Sequence, residues 1–420
     1  MAENIIYYGP PGTGKTYLLQ SMMSDYIDYT IPDERIRNTY ISNTQEWILI
    51  TLIMLQNHGK MRVTDIQAKI DSLKLRKKIN AGAVLEEHSM NTSSIGVKRT
   101  QPRIFSEFGG NKWYVNRIRI QQYMPSFFEH YLGDLDVDQR YAFVTFHQSF
   151  SYEDFIEGIR PEYIEETNSI DYSPKPGIFK ELCAKASKHP EKEYAIFIDE
   201  INRGNISEIL GELISLIEID KRQGMANELS VTLPYSKETF VVPSNLNIFG
   251  TMNSADRSIG TIDSALRRRF KFVAMMPDCK VLIDELKMAG LNPNNVDGID
   301  IVKLFNTMNG RIELLLDRNH LIGQAVFMSA RSGEDVILII RDKVVPLMEE
   351  YFFNDLQKVQ MIFNDLDEAG DLRKDAIYKH EILSVDDHFD YIGDYLLDDK
   401  KRYSVNPSLN ISSIKHIYGE

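Results

Sequence analysis

Three clusters of residues in this sequence have the types and spacing to handle a phosphate ester. Gly9-Pro10-Pro11-Gly12-Thr13-Gly14-Lys15-Thr16 fits the pattern G-x-x-x-x-G-K-[ST]. Glycines let backbone N–H groups close around an anion, and a helix starting at the loop's end adds partial positive charge. Lys15 would reach the outer phosphates, and the Thr16 hydroxyl would ligate Mg²⁺. Asp199-Glu200 closes the apolar run Tyr194-Ala195-Ile196-Phe197-Ile198. There Asp199 is expected to hold Mg²⁺ through water, and Glu200 to orient or deprotonate an attacking water. Asn253 closes another apolar run, from Asn247, where its amide can hold water or the γ-phosphate.

A fourth cluster, Arg267-Arg268-Arg269, stands just before a short β-rich run. It is either a solvated helix end or a set of guanidiniums presented to the neighbour's γ-phosphate in a ring. The second is favoured for at least one of the three.

These residues need elements to hold them. Ile5-Ile6-Tyr7-Tyr8 predicts a buried strand before the glycine loop, and Tyr17 to Met23 a helix after it. An apolar run with acids only at its C-terminal end fits a central parallel strand with a site at its tip. The expected fold class is α/β: a P-loop parallel sheet flanked by helices, with an inserted winged-helix-like module and a C-terminal helical domain. The core is expected over residues 1–24 and 140–278, the inserted basic module over 25–139, and the helical lid over 279–420. Ile206 to Arg222 reads as one amphipathic helix, Glu162 to Pro176 as an acidic loop, and residues 25–41 as a connection.

Composition narrows the classes. At 420 residues the chain has ample length for a core and for two to four domains. Two cysteines are too few for a disulfide framework. No run approaches the roughly 18 apolar residues of a membrane span, so no membrane partner is expected. A cleaved leader would remove the strand that feeds the glycine loop, so none is expected either. The expected location is the cytoplasm.

Charge is uneven. The net charge is −13, yet residues 56–122 hold 13 Lys/Arg against 5 Asp/Glu. Just before that stretch Trp47 to Leu55 reads as a helix, and within it Val63 to Ile70 does. Pro102 to Phe105 and Lys112 to Val115 read as strands about Gly109-Gly110-Asn111. Helices followed by a hairpin resemble a winged helix of the HARE-HTH type. DNA contact through residues 56–122 is one expectation, and a solvated insertion packed on the core, or docking a protein, is the other.

With these motifs on the page, the chain resembles the AAA+ motor subunit of McrBC-type modification-dependent restriction systems. The resemblance rests on Ile198-Asp199-Glu200-Ile201-Asn202-Arg203, on Met252-Asn253-Ser254-Ala255-Asp256-Arg257-Ser258, on Ala265 to Phe270, and on Phe146 to Gly158. It covers about residues 1–24 and 140–355. It implies that Asp199 and Glu200 are the Walker B pair and Asn253 the sensor asparagine. It implies Arg269 as the finger that acts in trans, with Arg257 a second interface arginine. It also implies a homo-hexamer, GTP in preference to ATP, and a McrC-like endonuclease partner that stimulates hydrolysis.

The sequence departs from that family twice. A DNA-recognition domain commonly precedes the glycine loop, whereas eight residues do here, so the basic insertion is expected to replace it. Histidine usually stands where Gln324 does in Leu321-Ile322-Gly323-Gln324-Ala325-Val326-Phe327. Alternatives are a MoxR-like AAA+ remodelling ATPase and a nucleotide-switched DNA-binding module.

Overall fold

In the computed structural model, the described residues are 2–90, 98–164, 168–256, 264–353, 355–389 and 398–420. The chain divides into two compact units. One comprises Met1–Tyr8 and Lys15–Ala274, the other Gly9–Gly14 and Met275–Glu420.

The first unit is built on a five-stranded sheet. Its strands in chain order are β1 (Asn4–Gly9), β2 (Tyr141–Thr145), β3 (Tyr194–Asp199), β4 (Leu246–Asn253) and β5 (Lys271–Ala274). Their order across the sheet is β5-β1-β4-β3-β2. The registers of β1 with β5, β3 with β4, and β3 with β2 are all parallel. Alternation along β3 splits its side chains between two cores. Ala195 and Phe197 pack with Leu19 of helix α1 (Lys15–Met23) and with Phe249. Tyr194, Ile196 and Ile198 face the other core with Phe179 and Leu182. A strand buried on both faces explains why β3 is a continuous apolar run. This is an α/β P-loop AAA+ fold, with helices on both faces of a parallel sheet.

Between α1 and β2 the chain forms a module with its own apolar cluster, from Ile31 to Leu132. Helix α2 (Glu46–Gln56) is apolar all round, and Trp47 through Leu55 are buried. A strand at Lys60–Arg62, helices α3 (Val63–Ser72) and α4 (Ala81–Glu87), and strands at Phe105–Glu107 and Lys112–Val115 follow. The strand at 112–115 lies in the middle of the three. Helix, strand, two helices and two strands is the order of a winged helix.

The expected connection over 25–41 is instead structured. Ile27–Tyr29 pairs antiparallel with Val137–Gln139 and closes the module's neck. Arg140 locks that neck with bonds of 3.0 and 2.8 Å to the two carboxylate oxygens of Asp28. Two other expectations are corrected. Residues 157–164 and 169–176 pair in two short antiparallel ladders, with Ile159 opposite Pro174 and Tyr163 opposite Ile170. Residues 206–222 break into Ile206–Leu210 and short 3₁₀ turns, because Gly211 adopts φ +50°.

The second unit is mainly helical. Helices α5 (Cys279–Met288), α6 (Ile301–Leu315) and α7 (Leu356–Phe363) share one apolar core with the helical stretch 333–352. A hairpin, Tyr378–Leu383 with Lys400–Val405, stands beside them.

Candidate nucleotide site

Parallel strands place their C-terminal tips on one edge, and the candidate chemistry of the first unit gathers there. Register sets the neighbours. Asp199 lies opposite Thr145 of β2. One step beyond the paired Ile198 and Gly250 it meets Thr251 of β4. The Thr251 hydroxyl donates to Asp199 Oδ1 and accepts from the Glu200 N–H at 3.1 Å. The Thr16 hydroxyl, in the first turn of α1, is 3.3 Å from both Asp199 oxygens. A hydroxyl and a carboxylate converging in this way form the hard oxygen donor set that Mg²⁺ takes, with room for phosphate and water ligands.

Glu200 has φ +53°, a left-handed backbone that a non-glycine residue adopts at a cost. That turn bends the chain out of β3. Arg203 Nε sits 3.3 Å from Glu200 Oε2, an ion pair rather than an aligned hydrogen bond. Arg203 also faces Asp256 at 3.9 Å. Asn253 spends its side-chain oxygen on the Ala255 N–H at 3.1 Å, so the group it offers to a ligand is its donor nitrogen. Asn202 Nδ2 reaches the Asn253 carbonyl at 3.4 Å. Burial pulls the Lys15 ammonium down to about 8, and the Glu200 and Asp199 carboxylates oppose that fall.

The arginines separate. Arg267 lies over the Phe272 ring at 5.1 Å, and Arg268 is exposed. Arg269 is buried, with its guanidinium 2.8 Å from Glu218. Its carbonyl accepts from Asn4 Nδ2 at 3.0 Å, and Asn4 Oδ1 in turn accepts from the fully buried Arg222 at 2.6 Å. Arg268, Arg269, Glu218, Asp220 and Lys221 line one depression. Arg257 lies outside the described residues.

The loop Gly9–Gly14 belongs to the second unit. Gly12 and Gly14 have φ +76° and +89°, which only glycine adopts cheaply. A Cβ on Gly9 would stand 2.1 Å from the Met275 carbonyl oxygen. The Thr13 hydroxyl donates to the Pro10 carbonyl at 3.0 Å. The second unit also places Gln324 against this loop. Thr251 and Glu218 escaped sequence reasoning. Only Thr251 left a signal, since it shares a strand face with Asn253.

The model of the AAA domain (dynein-related subfamily) matches residues 126–270. The model of the McrB alpha-helical lid domain matches residues 300–360. The Type IV methyl-directed restriction enzyme EcoKMcrB subunit of Escherichia coli (strain K12) is 38% identical over 242 residues. The chain is McrB-like in sequence over its AAA and lid regions. That match covers 54% of this McrB-like chain and 50% of the relative. The Type II restriction enzyme BsuMI component YdiS of Bacillus subtilis (strain 168) is 28% identical over 180 residues, 35% of this chain and 52% of its own. The McrB-like chain thus spans about half the length of the curated relatives it matches. Among its described residues no helix is long and apolar enough to cross a membrane.

Proposed function

We propose that this chain is the nucleotide-hydrolysing motor of a McrBC-like restriction complex that cuts foreign DNA, acting as a homo-hexamer and driving a McrC-like endonuclease. The observation that carries the reading is the clasp of Thr16, Asp199 and Thr251 at the strand tips, in a chain whose lid matches that of McrB. GTP is the favoured substrate on the strength of the resemblance, with ATP the alternative.

Gly9, Pro10, Pro11, Gly12, Thr13 and Gly14 would wrap the phosphates, and Lys15 would bind the outer ones. Thr16 and Asp199 would hold Mg²⁺, which when bound neutralises charge on the leaving phosphates. Glu200 would take the proton of the attacking water, and Asn253 would donate to that water or to the γ-phosphate. Arg269 would serve as the finger in trans, which requires its pair with Glu218 to open. Arg257 would act as a second interface arginine.

Turnover of GTP and of ATP by Glu200→Gln tests the mechanism. A fall of about a hundredfold or more is expected from loss of a general base, and unchanged turnover would overturn the assignment.

DNA is the proposed partner of the inserted module. The contact would come from the exposed Lys74, Arg76, Lys77 and Lys78 rather than from α4, which has no basic residue and ends in Glu86-Glu87. Neutralising those four should flatten the salt dependence of DNA binding, because each phosphate contact releases counterions. A slope left intact would return the insertion to a packing or protein-docking role.

A further inference from the structure

Residues 323–325 lie along the back of the glycine loop within the second unit. The Gly323 N–H donates to the Pro11 carbonyl at 3.2 Å, and the Ala325 N–H to the Gly12 carbonyl at 3.0 Å. Gln324 Nε2 donates to the Thr13 carbonyl at 3.0 Å. Three successive loop carbonyls are therefore turned to one side. A trans, planar peptide places the next N–H opposite its carbonyl. The strap thus directs the N–H groups of Gly12, Thr13 and Gly14 away from itself, which is the side on which a phosphate loop receives its anion. The approach is backbone on backbone, and a Cβ on Gly323 would stand 2.0 Å from the Gly12 carbonyl carbon.

Gln324 is the one side chain among these three bonds. It is 5% exposed, and its Oε1 accepts the Asp278 N–H at 3.2 Å. Asp278 caps α5, where its carboxylate accepts from the Lys280 N–H at 2.8 Å. One amide therefore ties the Thr13 peptide to the start of the first lid helix. A carbonyl released from this bond could swing toward the phosphate and repel it.

We propose that Gln324 is a positioning residue for nucleotide binding, which holds the Thr13 peptide so that the loop presents donors to the phosphates. This rests on the phosphate-binding reading of Gly9–Thr16. Glutamate at 324 would set a carboxylate oxygen against the Thr13 carbonyl. A neutral histidine can donate from one ring nitrogen and accept at the other, as the amide does.

The test is titration of the full chain with MgGTP and MgATP, together with steady-state turnover, for Gln324→Glu, Gln324→His and Lys15→Ala. The expected result for Gln324→Glu is affinity lowered about tenfold or more, the loss of one buried hydrogen bond plus an opposed acceptor. KM should rise with it while kcat holds within about twofold. Gln324→His should recover most of the affinity. Should the glutamate variant melt early, Gln324→Met removes donor and acceptor without adding charge and reads the same affinity. Wild-type affinity in Gln324→Glu or Gln324→Met, with Lys15→Ala unable to bind, overturns the inference and leaves the loop reading standing. Equal losses in the glutamate and histidine variants, with kcat and melting temperature falling together, also overturn it in favour of a packing role. Unaltered binding by Lys15→Ala would instead sink the loop reading itself.

Discussion

Thr251 and Gln324 do the same thing in two different regions. Each is a buried, neutral side chain that donates one hydrogen bond and accepts another. Thr251, in the sheet unit, donates to a carboxylate and accepts from the backbone of Glu200. Gln324, in the helical unit, donates to one backbone carbonyl and accepts from another residue's N–H. The difference lies in what is held. A hydrogen bond to a charge is about twice as strong as a neutral one and biases where that charge sits. A hydrogen bond between an amide and a peptide fixes only direction. Thr251 should therefore act on the chemical step, and Gln324 on the shape that receives the substrate.

That contrast can be broken most sharply at Thr251. Thr251→Val keeps the shape and removes both bonds, leaving Asp199 with the more distant Thr16 hydroxyl. Turnover is expected to fall about tenfold or more, with KM moved far less. Thr251→Ser should restore it. A Thr251→Val enzyme that loses affinity and keeps kcat would erase the distinction between the two residues.

A smaller effect should come from pH. Lys15 is charged below its lowered value of about 8 and loses its proton as pH rises through it. Nucleotide affinity is then full near neutrality and falls by about tenfold toward pH 9, since a neutral amine no longer pairs with phosphate. Lys15→Arg stays charged and should bind with a flat profile over the same range. A wild-type profile as flat as the arginine variant's would remove Lys15 from the charge pairing and leave the loop backbone as the main anion binder.

Much of the sheet unit was legible because its chemistry sits at the ends of strands. Asp199, Glu200 and Asn253 each terminate an apolar run, and such runs mark themselves. The ladders at 157–164 and 169–176 were missed because Pro161 and Pro174 argue against strands. The break at Gly211 was missed because a lone glycine inside a helical pattern is usually tolerated. The neck at Ile27–Tyr29 is too short to show a period. The bond of Gln324 to Thr13 left no local trace, because Thr13 is 311 residues away in sequence. The engagement of Arg269 was equally hidden, since no spacing rule connects it to Glu218.

The sheet order has a consequence for how the chain acquires its fold. β1 is flanked by β4 and β5, and the bond from the Glu3 N–H to Asn247 spans 244 residues. The strand that feeds the glycine loop therefore emerges from the ribosome long before either neighbour exists. Meanwhile the inserted module, whose cluster runs only from Ile31 to Leu132, can close on itself. Local contacts form quickly and distant ones slowly. The module should thus be a finished body on the nascent chain while β1 is still waiting, its edge unpaired. During synthesis the strand that leads into the glycine loop is the one most exposed to wrong pairing and most in need of shielding.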